Sequence, residues 1–193
     1  MYLMKFMLAI LISISLFSCG STQEQAVEPD ILPAQEGKIY PDSTLAAMQQ
    51  LLKNYYAVKD ALVKSDAAEA KMNAALLSKS VINVSIVSLK VNDPTNYATA
   101  AESLHIIQTS SETLAQTNSL QTQREVFETL SDHIYDLVRT MKPSGIAAYK
   151  QYCPMAFNDK GAYWLSDTSH IQNPYFGKKM LICGEVQETL RYK

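Results

Sequence analysis

Leu120-Gln121-Thr122-Gln123-Arg124-Glu125-Val126-Phe127-Glu128-Thr129-Leu130-Ser131-Asp132-His133-Ile134-Tyr135-Asp136-Leu137-Val138-Arg139-Thr140-Met141 is the stretch that decides the fold. Leu120, Gln123, Phe127, Leu130, Ile134, Leu137 and Met141 recur at alternating steps of three and four, the spacing that lines one face of an α-helix. Arg124, Glu128, Asp132 and Asp136 fall on its flank and far side, so the segment reads as a helix with one buried stripe. Such a stripe needs partners, and the chain upstream supplies them.

Pro41-Asp42-Ser43-Thr44 places cap-type residues ahead of Leu45, Met48, Leu52, Tyr55, Val58 and Leu62, again at helical spacing. Ser65-Asp66 breaks that pattern and offers a cap for the alanine-rich run Ala67 to Leu77, which is expected to continue as helix towards Val87. The stretch Val81-Ile82-Asn83-Val84-Ser85-Ile86-Val87 is β-branched enough to imitate a strand, but its continuity with Ala74 and Leu77 favours helix. Asp93 is an N-cap with Pro94 at the first helical position, ahead of a segment that places Tyr97, Ala101, Leu104, Ile107 and Leu114 on one side. Thr117-Asn118-Ser119 makes the next turn or cap. Four amphipathic helices with short connections predict an all-α fold, an antiparallel four-helix up-and-down bundle over residues 41–142.

Pro143-Ser144-Gly145 ends the last helix, and residues 143–193 change character. Tyr149, Tyr152, Phe157, Tyr163, Trp164, Tyr175 and Phe176 alternate with turn residues such as Asn158-Asp159-Lys160-Gly161 and Asn173-Pro174. Gly161 to Leu165 and Met180 to Cys183 read as short extended pieces, and Val186 to Leu190 as a last strand or helical turn. Periodicity this sparse does not fold alone, so the region is expected to be a small irregular/β C-terminal cap, part of the same domain as the helices.

Residues 1–18 read as a secretory signal, with Lys5 as the positive end, an apolar run from Phe6 to Phe17 too short to span a membrane, and a small residue before Cys19. Leu16-Phe17-Ser18-Cys19-Gly20 resembles the bacterial lipobox, which implies cleavage before Cys19 and acylation of that cysteine. Residues 19–40 are polar, carry Pro29, Pro33 and Gly37, and are expected to be a flexible tether. Gly20, where an Asp would favour inner-membrane retention, points to an outer-membrane lipoprotein facing the periplasm. A formal net charge of −2 gives no reason to expect nucleic acid as a partner.

With Cys19 assigned to lipid, Cys153 and Cys183 remain. They lie in Tyr152-Cys153-Pro154-Met155 and Met180-Leu181-Ile182-Cys183-Gly184, a Cys-x-Met element and a Met-x-x-Cys element. Two readings stand side by side. Cys153, Met155, Met180 and Cys183 are soft sulfur ligands of the type that suits Cu(I), whereas a pair of cysteines in an oxidising compartment has a disulfide as its default state. His105 and His133 sit on separate helices and His170 in a polar loop, where solvated or internally satisfied histidines are the usual case. Tyr163-Trp164 and Tyr175-Phe176 read as the cap's own core ahead of a cation-π wall. No phosphate-cradling loop, zinc-protease motif or nucleophile elbow is present, and enzyme activity is not expected.

Tyr152-Cys153-Pro154-Met155-Ala156-Phe157-Asn158, Gly161-Ala162-Tyr163-Trp164-Leu165-Ser166, Asn173-Pro174-Tyr175-Phe176-Gly177 and Met180-Leu181-Ile182-Cys183-Gly184-Glu185-Val186 resemble the bacterial domain of unknown function family 3347. Gln123 to Ser131 looks like that family's last bundle helix. The resemblance implies a context: similar domains occur as stand-alone lipoproteins and are fused to periplasmic adaptors of heavy-metal efflux systems. Tyr-Cys-Pro-Met also looks like the Cys-Pro-Met-His motif of small heavy-metal-binding domains, but Ala156 stands here where that motif has its histidine. The expectation is a periplasm-facing lipoprotein that binds a soft, Cu(I)-type ion in metal tolerance or efflux. Its alternative is a disulfide-stapled helical interaction module of the envelope, with an efflux adaptor or another envelope protein as partner and no metal.

Overall fold

The computed structural model describes residues 34–193. The expected signal at 1–18, the expected lipidation site Cys19 and the expected tether as far as residue 33 lie outside the described residues. None of the described helices is long and apolar enough to cross a membrane.

The described chain is mostly helical, with a small three-stranded antiparallel sheet near its C-terminus. Helix α1 (Asp42–Lys64) buries Met48, Leu51, Leu52, Tyr55, Val58 and Leu62, the face expected from its spacing with Leu51 added and Leu45 only half-buried. Ser65 closes it in the left-handed region, where the Asp66 amide reaches back to the Ala61 carbonyl at 2.9 Å. The Asp66 carboxylate then accepts from the Glu69 amide at 2.8 Å and starts α2 (Ala67–Val81). Asp93 caps α4 (Pro94–Gln116), with Pro94 in the first turn, and Ser119 caps α5 (Leu120–Met141). In α4 the inward positions are mostly small, Ala100, Ser103, Ser110 and Ser111, and α2, which packs against α4, likewise buries Ala70 and Ala74. Gln123, the one polar residue of the α5 stripe, is wholly buried because its amide donates to the Ala67 and Thr117 carbonyls at 2.9 and 3.0 Å.

Helix α2 stops short of Val87. It ends at Val81, the chain turns through Ile82 to Ile86, and a separate short helix, α3 (Val87–Asn92), follows. Crowded β-branched side chains and the backbone-competing Asn83 and Ser85 disfavour a further helical turn, while the bend buries Val84.

Strand β1 (Ala147–Cys153) is the centre of the sheet, flanked by β2 (Ala162–Ser166) and β3 (Glu185–Arg191) in the order β2-β1-β3. A bulge between Lys150 and Gln151 shifts the β1–β3 register. β2 matches the expected extended piece Gly161 to Leu165, and β3 shows that Val186 to Leu190, expected as a strand or a helical turn, is a strand. The other expected extended piece, Met180 to Cys183, is instead a turn, with the Cys183 amide bonded to the Met180 carbonyl at 3.1 Å. A further single turn, α6 (Ala156–Asp159), follows β1.

Residues 35–40, expected as the end of the tether, lie on the domain. Gln35 and Lys38 bridge to Tyr192 and Pro143, and the Tyr40 hydroxyl donates to the Met141 carbonyl at 2.9 Å. Tyr40 is buried, so this segment is anchored by its own apolar side chain as well as by backbone pairing.

Tyr55 joins helices to sheet. It is wholly buried and stacks on Phe127 with ring centroids 5.3 Å apart. Its hydroxyl pairs with Ser131 Oγ of α5 at 2.8 Å and accepts from the Leu165 amide of β2 at 3.0 Å. Tyr55→Phe strands both partners in the core and is expected to destabilise the fold by about 1–3 kcal/mol, read as a lower urea midpoint; an unchanged midpoint would contradict this role.

Candidate functional site

Cys153 closes β1, where its backbone pairs with Ala162, and is wholly buried. Cys183 lies thirty residues on, half-buried, at the end of the turn that leads into β3. Asn173 holds that turn. Its side-chain amide donates to the Cys183 carbonyl at 2.7 Å, its Oδ1 accepts from the Tyr175 and Phe176 amides at 2.8 and 3.1 Å, and its own amide donates to Leu181. Gly184 follows with φ of +146°, and a Cβ there would sit 2.8 Å from the Tyr152 carbonyl and 2.9 Å from the Trp164 ring. The turn therefore seats Cys183 against β1.

The two sulfur atoms are 3.0 Å apart. This is longer than a disulfide bond of about 2.05 Å, and the pair is two free thiols in contact. The hydrogen bond with Cys153, and then burial, push the Cys183 thiol up to about 11. Such a thiol is a poor nucleophile at neutral pH.

Met155 and Met180 are brought together elsewhere. Both line an open cavity of 570 Å³ beside Phe157, Tyr175 and Phe176, and neither cysteine is among its lining residues. The four sulfur residues are thus divided between a thiol pair in contact and two methionines that line a separate cavity. Among the described residues no group of three or more His, Cys, Asp or Glu is placed to hold a metal ion. His105 and His170 are exposed, and His133 is half-buried on α5. Trp164 and Tyr175 belong to the core, with ring centroids 5.9 Å apart, while Phe176 keeps partial exposure at the cavity.

Two features carried no sequence signal that was read. Asn173 looked only like a turn residue, although Asn ahead of Pro with backbone amides to collect is a common turn organiser. The second is a cavity of 440 Å³ between α1 and the start of β1, bounded by Tyr56, Asp60 and Asp167. Near it the buried Lys59 ammonium lies 2.8 Å from Asp60 and 3.8 Å from Asp167.

A mostly helical domain, capped by a three-stranded antiparallel sheet that carries a dithiol, is the class of protein these features define. A family model described as a protein of unknown function (DUF3347) matches residues 51–145, and the chain resembles that family over this span. The match runs from within α1 to the end of the helical part and stops before β1, so it covers neither cysteine of the pair. No curated protein and no solved structure matches the chain.

Because the folded Cys183 holds its proton to higher pH than an unfolded thiol, the reduced protein loses stability as pH climbs from about 9 to about 11. Urea melts of reduced wild type against Cys183→Ser across that window are expected to show this extra slope in the wild type only. Iodoacetamide labelling of Cys183 at pH 8 is correspondingly slow; labelling at the rate of an unstructured cysteine would contradict the assignment.

Proposed function

We propose that this protein is a lipid-anchored accessory protein, held by acyl chains on Cys19 at the periplasmic face of the outer membrane, that binds a soft ion of the Cu(I) kind in metal tolerance or efflux. The single observation that carries the reading is the pair of thiols 3.0 Å apart, one of them reaching the surface. Two thiolates are soft donors, and capture and release need no catalytic group. Binding requires both protons to leave. It also requires the sulfurs to move apart, since metal–sulfur bonds of about 2.3 Å do not bridge so short a separation at a comfortable angle. Met155 and Met180 lie in the same cap and supply thioethers. The short turns between α1 and α2 and between α4 and α5 support reading the four long helices as an antiparallel up-and-down bundle that carries this cap.

A second reading is favoured by the complete burial of Cys153 and by a sulfur separation only about 1 Å above bonding distance. Oxidised, the pair becomes a staple worth about 3 kcal/mol on a chain-entropy account of a loop this long. The protein is then a disulfide-stapled envelope module that docks a partner such as an efflux adaptor without metal. Exposed Ile82, Val87 and Val91 around α3 give that reading an apolar contact surface.

Reduced full chain titrated with Cu(I) is expected to take up metal at a fixed ratio, and Cys153→Ser with Cys183→Ser to lose most of that uptake. Equal uptake by both would overturn the dithiol as a ligand. Mass spectrometry without reductant, on protein expressed in the envelope, reads the staple directly as the loss of two hydrogen atoms. Labelling with a palmitate analogue, abolished by Cys19→Ala, tests the anchor.

A further inference from the structure

We infer that the cavity bounded by Met155 and Met180 is a thioether site for a soft monovalent cation, available when Cys153 and Cys183 are closed as a disulfide. The inference rests on the soft-metal reading above but moves part of the binding away from the thiols. Met155 stands two residues after Cys153, and Met180 three before Cys183. The strand end and the turn that bring the thiols together therefore send the two methionines to a common cavity on which neither thiol opens. Met155 is 46 % exposed, so an ion in solution can reach it.

The wall of this cavity is held in an unfavourable backbone. Phe157, Asn158 and Asp159 are consecutive residues with side chains, yet their φ angles are +52°, +56° and +65°. L-residues avoid this region, and a run of three persists only where surrounding contacts impose it. Here the Gly161 amide bonds to the Ala156 carbonyl at 2.9 Å, Phe157 packs edge-on against Tyr175 with centroids 5.3 Å apart, and Lys160 reaches Glu128 at 2.8 Å. The left-handed turn is what brings Phe157, Asn158 and Asp159 to the cavity beside Met155.

The lining decides the class of ligand. Glu125 and Asp159 are set against Arg124 and Lys179, so charge alone attracts neither an anion nor a divalent cation. Arg124 is already committed, its Nε to the Pro174 carbonyl at 2.9 Å and its Nη2 to Ser65 Oγ at 3.0 Å and the Leu62 carbonyl at 3.3 Å. Beyond these opposed charges the cavity is lined by two uncharged thioethers, by Phe157, Tyr175 and Phe176, and by the neutral amides of Gln121 and Asn158, a set that favours a soft monovalent ion over Zn(II) or Mg(II). Thioethers carry no proton to release and take no part in disulfide exchange, so the staple leaves this site open.

Ag(I) is the probe, because it needs no reductant that would open the disulfide. The full chain in detergent micelles and halide-free buffer, with no titratable thiol remaining, is titrated while the methionine ε-methyl resonances are followed. The expected result is saturable uptake that shifts Met155 and Met180 and leaves Met72, exposed on α2, in place. Met155→Leu with Met180→Leu, a volume-conserving change, should lose that uptake while its far-UV spectrum is unaltered. Cys153→Ser with Cys183→Ser should retain it, and Zn(II) should shift neither methyl. Undiminished uptake by the Met→Leu variant, or unmoved methyls in the oxidised wild type, overturns the proposal. If oxidised protein takes no Ag(I) but reduced protein takes Cu(I) through the cysteines, the dithiol reading survives alone. If neither form takes up metal, both fall.

Discussion

One buried hydroxyl, that of Tyr55, holds the helices and the sheet in a fixed relation. Its two partners lie on α5 and β2, elements far apart in sequence, and its ring is clamped by Phe127. The Leu165 amide it receives belongs to an edge strand that β1 pairs on only one side, so without the phenol that buried donor has no partner. Burial also raises the Tyr55 phenol well above its ordinary pKa, so it stays neutral and available as donor to Ser131. Around it Tyr175 touches Phe127, Trp164 and Phe157, and its hydroxyl donates to the Tyr163 carbonyl. The cap's core is thus a continuation of the helical core, which is why so small a sheet is stable.

What was legible in the sequence follows from how local each signal is. The helical faces of α1 and α5 were readable because a 3.6-residue period and local caps lie within the element they define, whereas in α4 only Ile107 and Leu114 of the expected face are buried and small residues, Ala100, Ser103, Ser110 and Ser111, fill the rest. The end of α2 was not readable, since alanines before Val81 and apolar residues after it keep the same period through the bend. Strand β1 was missed for the opposite reason. Ala147-Ala148-Tyr149-Lys150-Gln151-Tyr152-Cys153 has no β-branched residue, and its polar centre is satisfied only by tertiary contacts. Lys150 lies 3.7 and 4.1 Å from the Tyr135 and Tyr163 rings, and the Gln151 amide donates to the Thr168 carbonyl at 2.9 Å. Residues 35–40 looked like tether because their partners, Pro143 and Tyr192, stand at the other end of the chain.

The site divided along the same line. That Cys153 and Cys183 meet was suggested by their being the last unassigned thiols. That Met155 and Met180 line a separate cavity was not legible, because it depends on the left-handed turn after β1, and nothing in Ala156-Phe157-Asn158-Asp159 announces three successive positive φ values. The role of Asn173 was hidden likewise: its residue type said turn, and only the fold says that the turn carries Cys183.

Cys153 is positioned by strand pairing and Cys183 by Asn173, so the two sulfurs are held together by hydrogen bonds that do not depend on a bond between them. Linkage then runs both ways. Whatever stability the staple lends the fold, the fold lends the staple, and about 3 kcal/mol on this loop corresponds to a reduction potential about 60 mV lower than for the same cysteines in the unfolded chain. A dithiol so placed favours the oxidised state wherever the surroundings are oxidising. A soft ion competing for it has to overcome that bias, the proton held by Cys183 and the separation of the sulfurs, whereas thioethers face none of the three. The fold that favours the staple thus disfavours the thiols as metal ligands, and under the proposed soft-metal reading binding in an oxidising compartment would fall to Met155 and Met180.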